Sequence, residues 1–357
     1  MVLSSAPDDL FTRLPKVDLH RHLEGSLRLS TLLDLARTHA IRLPPGSRME
    51  TLVQMQPGDP LTPGNFLAKF KAQRPFYCSL AAIERMAVEV VEDAAADGVR
   101  LLELRFTPTT LAQARGLAID AVMDCVISSA RRAAARCGIR LNLIASLNRH
   151  DNPALGDLVA RLSLERCAEG IAALDLAGDE VNYTAQPFIP ALRAAAAGGL
   201  AVTVHAGEWG GPENVRQALQ ELNASRIGHG VRVLEDPAVV ALARELGTVF
   251  EVCITSNYQT GVVSAIEQHP IQQMIAAGLQ VTINSDDPGI SRIRLSDEYR
   301  LAYQRLGFSL AQLRQLTLTA VRASFLPCVE RQALLHELAL DWDTITQQGN
   351  AEHPGCQ

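Results

Sequence analysis

The sequence predicts an α/β chain folded as a (β/α)8 TIM barrel, with a long helical insertion after the first strand. Three observations predict it. Eight short β-like runs recur along the 357 residues. Alanine- and leucine-rich segments with helical periodicity separate most of them. Polar and ionisable residues gather at the C-terminal ends of the runs, the face on which such barrels build their sites. A doubly wound open sheet is the rival, but its phosphate-binding G-x-G-x-x-G is missing after the first run.

The runs are, in order, KVDLH (16–20), VRLLELRF (99–106), IRLNLIASL (139–147) and IAALDLAG (171–178) in the first half. LAVTVHAG (200–207), SRIGHG (225–230), TVFEVCITS (248–256) and LQVTINSDD (279–287) follow. IERMAVEVVEDAAADG and ENVRQALQELNA carry the helical repeat, and Gly98, Gly138, Gly170 and Gly278 stand where helix C-caps are expected. The first connection, from about Glu24 to Val99, is far longer than the others and contains PGDPLTPGNF. An insertion at about 25–98 falls at the site face, so it is expected to form part of a pocket wall or lid. No repeat or linker divides residues 1–357, which are expected to be a single domain. The polar tail after about Asp341 is expected to fray.

Composition narrows the function classes. Apolar residues make up 47% and charged residues 20%, enough for a large core and too few charges for a disordered chain. A net charge of -6 leaves no basic footprint for nucleic acid or for an anionic membrane. The seven cysteines are scattered and never spaced C-x-x-C, as expected of reduced thiols in a cytoplasmic protein. Neither a signal peptide nor a membrane-spanning run is visible.

Run one ends in His20 and His22, run five in His205 with Glu208 three residues on, run six in His229, and run eight in Asp286 and Asp287. On a strand, residues i and i+2 share a face, so His20 and His22 can share one ion. Each feature has a plainer reading: two solvated histidines, a core histidine at 205, a turn histidine at 229. Asp286-Asp287 also fits a helix N-cap before Pro288, and Glu208 fits a helix N-terminal charge. Their shared position at strand ends favours one mouth. Three imidazoles and a carboxylate there suit Zn²⁺ with a position open for water. His229 is then a candidate to take or orient a proton of that water, and Glu208 a candidate to carry a proton to a leaving group or ring nitrogen.

With these residues the sequence resembles the adenosine deaminase family of the amidohydrolase superfamily. LPKVDLHRHLEGSLR, FLAKF, LLELRFTP, ALDLAGDE, TVHAGEWGGPENV, RIGHGVR, FEVCITSNYQTG and INSDDPGI carry the resemblance in order along nearly the whole chain. It implies hydrolysis of the 6-amino group of an adenine ring, with one Zn²⁺ per chain held by His20, His22, His205 and Asp286. It further implies that Glu208 protonates the purine ring and His229 orients the attacking hydroxide. Asp287 would bond the imidazole nitrogen of the purine, and Gly178 would offer its N–H to the base. His22 and Glu24 would face the substrate, and an apolar helix with Phe66, Leu67 and Phe70 would cover the sugar. Core packing is the ordinary alternative for those three. Deaminases using H-x-E with P-C-x-x-C are excluded by their ligands.

The implied substrates are the purine nucleosides adenosine and 2′-deoxyadenosine. Glu24 departs from the pattern, since nucleoside deaminases more usually carry Asp there. Free adenine, an N6-substituted AMP or aminodeoxyfutalosine is the alternative. A non-catalytic binding member would lack a ligand or the acid, and none is missing. A single-metal hydrolase of amides or phosphoesters also stays open.

Overall fold

The computed structural model describes residues 10–352, with side chains through Gln347. Eight parallel strands follow one another in chain order around a single sheet. They are β1 (Lys16–His22), β2 (Val99–Phe106), β3 (Arg140–Asn148), β4 (Ile171–Ala177), β5 (Ala201–Ala206), β6 (Arg226–His229), β7 (Val249–Val252) and β8 (Gln280–Ile283). Helices cover the outside, so both faces of each strand are buried, which is why the runs read as apolar blocks. The helix Leu80–Ala96 shows the logic. It buries Ile83, Met86, Ala87, Val90, Val91 and Ala94 along one stripe, and the Ser79 side chain accepts the Ala82 N–H at its start. Helix Ile119–Cys137 stops at Gly138, whose φ of 68° is the left-handed cap that glycine adopts without strain.

Two boundaries differ from expectation. β7 ends at Val252, because Ile254–Gln259 turns into a short helix, and β8 ends at Ile283, before the aspartates. The tail also differs. Residues Cys328–Glu352 form one helix, anchored by Trp342, which is fully buried and donates its Nε1–H to Pro15 O at 2.9 Å. One large aromatic in a polar segment outweighs the polarity around it.

The seam between β8 and β1 is closed mainly by polar groups past the end of β8. His22 N–H donates to Asp286 O (2.9 Å) and Asp286 N–H to His20 O (2.8 Å), a single bridge pairing Arg21 with Asp286. Asn284 Oδ1 accepts the Leu19 N–H (3.0 Å), and Ser285 donates its hydroxyl to Asp18 Oδ2 (2.5 Å). Beneath the mouth, the barrel interior is ionic. Arg226 bridges Glu103 (2.5 Å) and Glu251 (2.6 Å), and Arg105 reaches Glu251 (2.7 Å), all buried.

Between β1 and β2 lie helices Leu29–Thr38, Met49–Val53, Pro63–Gln73 and Leu80–Ala96. The last packs on β2, where an ordinary barrel helix sits, so the extra chain precedes residue 80.

Glu298, on helix Leu295–Arg305, is buried against the start of Ile254–Gln259, where its carboxyl accepts the Thr255 N–H and hydroxyl. Burial pushes its pKa up to about 7. The native state therefore keeps a proton that the unfolded chain loses near its ordinary pKa of 4.5. Rising pH then favours unfolding, and the loss is complete above about 7. Denaturant melts at pH 5.5 and 8 are expected to show Glu298→Gln relieving on the order of 2 kcal/mol of this loss. Equal pH slopes in wild type and variant would contradict it.

Candidate active site

Alternation along β1 sends His20 and His22 into the mouth and Arg21 to the other side. His20 is fully buried. Its Nδ1 lies 2.8 Å from Glu251 Oε2. Although burial opposes it, Arg105 and Arg226 hold Glu251 well below the usual carboxylate range. An ionised acceptor places the imidazole proton on Nδ1 and turns the Nε2 lone pair towards the mouth. That Nε2 is buried and has no hydrogen-bond partner among the described residues. His205, from β5, is held the same way by Asp175 at 2.9 Å. His22 Nε2 faces His205 Nε2 at 3.3 Å. Asp286 Oδ1 lies 3.3 Å from His20 Nε2 and 3.4 Å from His22 Nε2.

Burial pushes the His22 pKa well down, so its ring is neutral. Asp286 is held ionised by the surrounding histidines against the opposing effect of burial. Convergent imidazole lone pairs repel one another unless a cation lies among them, and the orphaned His20 Nε2 makes the same demand. The donor set of three imidazoles and one carboxylate fits Zn²⁺. Cys253 Sγ also lies near His20, His229 and Asp286, but burial pushes its thiol well up, and a protonated thiol is a poor ligand.

Beside this cluster, His229 closes β6 with a φ of 57°. Its Nδ1 receives the Asn257 side-chain N–H (3.2 Å), and Asn257 Oδ1 accepts from His269 Nε2 (3.1 Å). With burial keeping the ring neutral, the remaining proton is on Nε2, 3.6 Å from Glu208 Oε2. Glu208 is only 7% exposed. Its carboxyl is pushed well up by burial, then by Asp286 and Glu180. It precedes helix Pro212–Glu221 rather than capping it.

The loop carrying Glu208 is gripped by one carboxylate. Glu180 accepts N–H groups from Gly207 (2.9 Å), Glu208 (2.7 Å), Trp209 (2.8 Å) and Gly210 (2.9 Å), and the Asn214 amide at 2.8 Å.

Asp287 occupies the N-cap position of Pro288–Ser291, yet its side chain makes no cap bond. Its Oδ1 is buried without a partner, and its pKa is pushed well up by burial and then by Asp286. A methyl group at Gly25 would sit 1.7 Å from that oxygen, so glycine alone fits beneath it.

These groups open onto a pocket of about 410 Å³ lined also by Gly178, Phe66, Leu67 and Phe70. Phe66 is at once a pocket wall and a core residue against Met55 and Ile290, so both sequence readings apply. At the pocket's other end Glu24 Oε1 accepts the Thr107 N–H at 2.7 Å, while Glu24 Oε2 and the Tyr77 hydroxyl are buried without partners. Burial pushes the Glu24 pKa up to about 7.

All the residues singled out in the sequence come together here, with His20 behind the pocket surface. Sequence reasoning missed the groups that hold them: Glu251, Asp175, Asn257, His269 and Glu180. A lone acid inside an apolar strand, as in TVFEVC or IAALDLAG, was the available signal.

The adenosine deaminase family model matches residues 15–340 of the chain. An adenosine deaminase of Klebsiella pneumoniae (strain 342) is 39% identical over 91% of this chain and 98% of that protein. Among solved structures, an amidohydrolase from Burkholderia ambifaria with bound Zn aligns with a TM-score of 0.88 and 27% identity, covering 98% of this chain and 96% of that one. An adenine deaminase from Arthrobacter aurescens aligns at 0.83 and 28%, over 91% and 98%.

Proposed function

The chain belongs to the adenosine deaminase family, and from that premise we propose that it hydrolyses adenosine and 2′-deoxyadenosine to inosine and 2′-deoxyinosine, releasing ammonia. The observation that carries the reading is a buried carboxyl, Glu208, 3.6 Å from His229 and beside a four-donor cluster, with burial pushing the Glu208 pKa well up and that of His229 well down, at one pocket. His20, His22, His205 and Asp286 would hold one Zn²⁺. Bound there, the ion supplies Lewis acidity, which makes hydroxide available at neutral pH.

The chain's own groups do the rest. Attack at C6 breaks the ring's aromaticity, so the adjacent ring nitrogen must accept a proton. Glu208, protonated at neutral pH, donates it. His229 donates a hydrogen bond from Nε2 to the incoming oxygen and orients it. Asp287, also protonated, donates to the imidazole nitrogen of the purine. Gly178 offers its N–H to the base. Glu24 and Tyr77 supply unpaired polar atoms at the sugar end, which supports a nucleoside over a bare base. Phe66, Leu67 and Phe70 form its apolar cover. Free adenine is the second reading, because Glu24 is longer than the usual Asp at the sugar contact.

The described cysteines are unpaired, which supports a cytoplasmic enzyme. No helix among the described residues is long and apolar enough to cross a membrane.

A spectrophotometric panel of adenosine, 2′-deoxyadenosine, adenine, AMP and N6-methyl-AMP tests the substrate. The two nucleosides are expected to give the highest kcat/KM. Adenine turned over as well as adenosine would move the assignment to the second reading. Metal analysis is expected to give about one Zn²⁺ per chain. The His20→Ala, His22→Ala double variant is expected to lose it, and a wild-type zinc content there would remove these two ligands from the assignment.

A further inference from the structure

A second cavity, of about 930 Å³, shares no lining residue with the purine pocket. Its walls are the turn after β1, residues 54–58 of the insertion, the helix end carrying Asp93 and Asp97, and the segment from Pro288 to Asp297. Arg21 stands in its wall. This side chain is 5% exposed, and among the described residues no carboxylate lies within ion-pair distance of it. Its Nε donates to Ser26 Oγ at 3.2 Å, and among the described residues its terminal nitrogens have no hydrogen-bond partner.

The acids nearest in electrostatic reach are already engaged. Asp18 is held by Ser285, Asp93 by the fork of Arg28 at 2.6–3.0 Å, and Asp97 by Ser296 at 2.5 and 2.9 Å. In the same wall, Ser291 Oγ is buried without a partner. At the mouth, Arg292 bonds only Gln56 Oε1 (3.1 Å). Arg294 lies 3.6 Å from Asp297, which Arg300 also holds. A buried guanidinium with no carboxylate at ion-pair distance is costly to keep. Chains keep such a group where something binds it.

We propose that this cavity is a phosphate site, with Arg21 and Ser291 gripping the oxyanion and Arg292 and Arg294 guarding its entrance. The guanidinium fork matches two phosphate oxygens, and the hydroxyl donates to a third. The volume exceeds that of phosphate alone, so the group can arrive free or on a nucleotide. The proposal does not depend on the purine reading.

Calorimetry on the zinc-loaded full chain tests it, with inorganic phosphate and uridine 5′-monophosphate as probes, each with and without saturating inosine. Saturable phosphate binding that inosine leaves unchanged is expected. Arg21→Gln is expected to weaken it by about tenfold or more. Tighter binding of the nucleotide identifies a nucleotide as the carrier, and equal or weaker binding identifies free phosphate. Should Arg21→Gln fail to fold, Ser291→Ala and the exposed Arg292→Gln, Arg294→Gln double variant carry the test. No saturable binding, displacement by inosine, or indifference to those substitutions would overturn the proposal.

Discussion

Glu208→Gln is expected to lower kcat for adenosine by about 10²- to 10⁴-fold, with KM, zinc content and fold little changed. The amide has the shape of the acid and can still donate a hydrogen bond to the ring nitrogen, so ground-state binding survives. It cannot give up a proton, so the interaction made only in the transition state is lost. The direction of the pKa adds a second readout. Burial pushes the Glu208 carboxyl well up, with Asp286 and Glu180 adding to it, so the active form is the protonated one. Wild-type kcat should therefore fall as pH rises through that raised value, and the variant's residual rate should lack this limb. An unchanged kcat would take the proton-donor role from Glu208.

Glu180→Ala should cost both stability and rate. One carboxylate accepts four consecutive backbone N–H groups and an amide, in a loop that is mostly buried. Each buried donor left without an acceptor costs about 1–3 kcal/mol, and the loop must rearrange to recover part of that. The rearrangement moves Glu208, and a shift on the order of 1 Å costs about 10²-fold in rate. Glu180→Gln is the milder probe. It keeps one oxygen for the backbone but removes the charge that helps hold the Glu208 proton, so the alkaline limb of kcat should move to lower pH. A purely structural role would leave that limb in place, and a wild-type profile in Glu180→Gln would refute the electrostatic part.

The barrel was legible because parallel strands covered on both faces must be apolar, and because the chemistry stands where they end. His20 and His22 gained weight only from His205 and Asp286, far along the chain. The supporting groups were harder to see. Glu251 pairs with His20 across 231 residues and with Arg226 and Arg105 inside the barrel, so no local pattern reveals it. Glu103 and Arg105, two apart on β2, are the legible trace of that ionic interior, hidden in a run that otherwise reads as apolar. Glu180 sits in ALDLAGDE, yet its partners are 27–34 residues away and all but the Asn214 amide are backbone groups, which carry no side-chain signature. Average polarity hid the packing of the tail through Gln347, where Trp342 is buried and Ile345 packs against the core.

The seam fixes when the site can exist during synthesis. His20 and His22 leave the ribosome early, but the bridge that joins β1 to the far end of the sheet waits for Asp286, which both closes the ring and completes the donor set. Contacts of such long sequence separation form late, so a nascent chain carries its first two histidines exposed through most of translation. Ion capture by the proposed donor set would therefore belong to the finished barrel. A chain arrested before residue 286 keeps an open edge and an incomplete donor set at the same place.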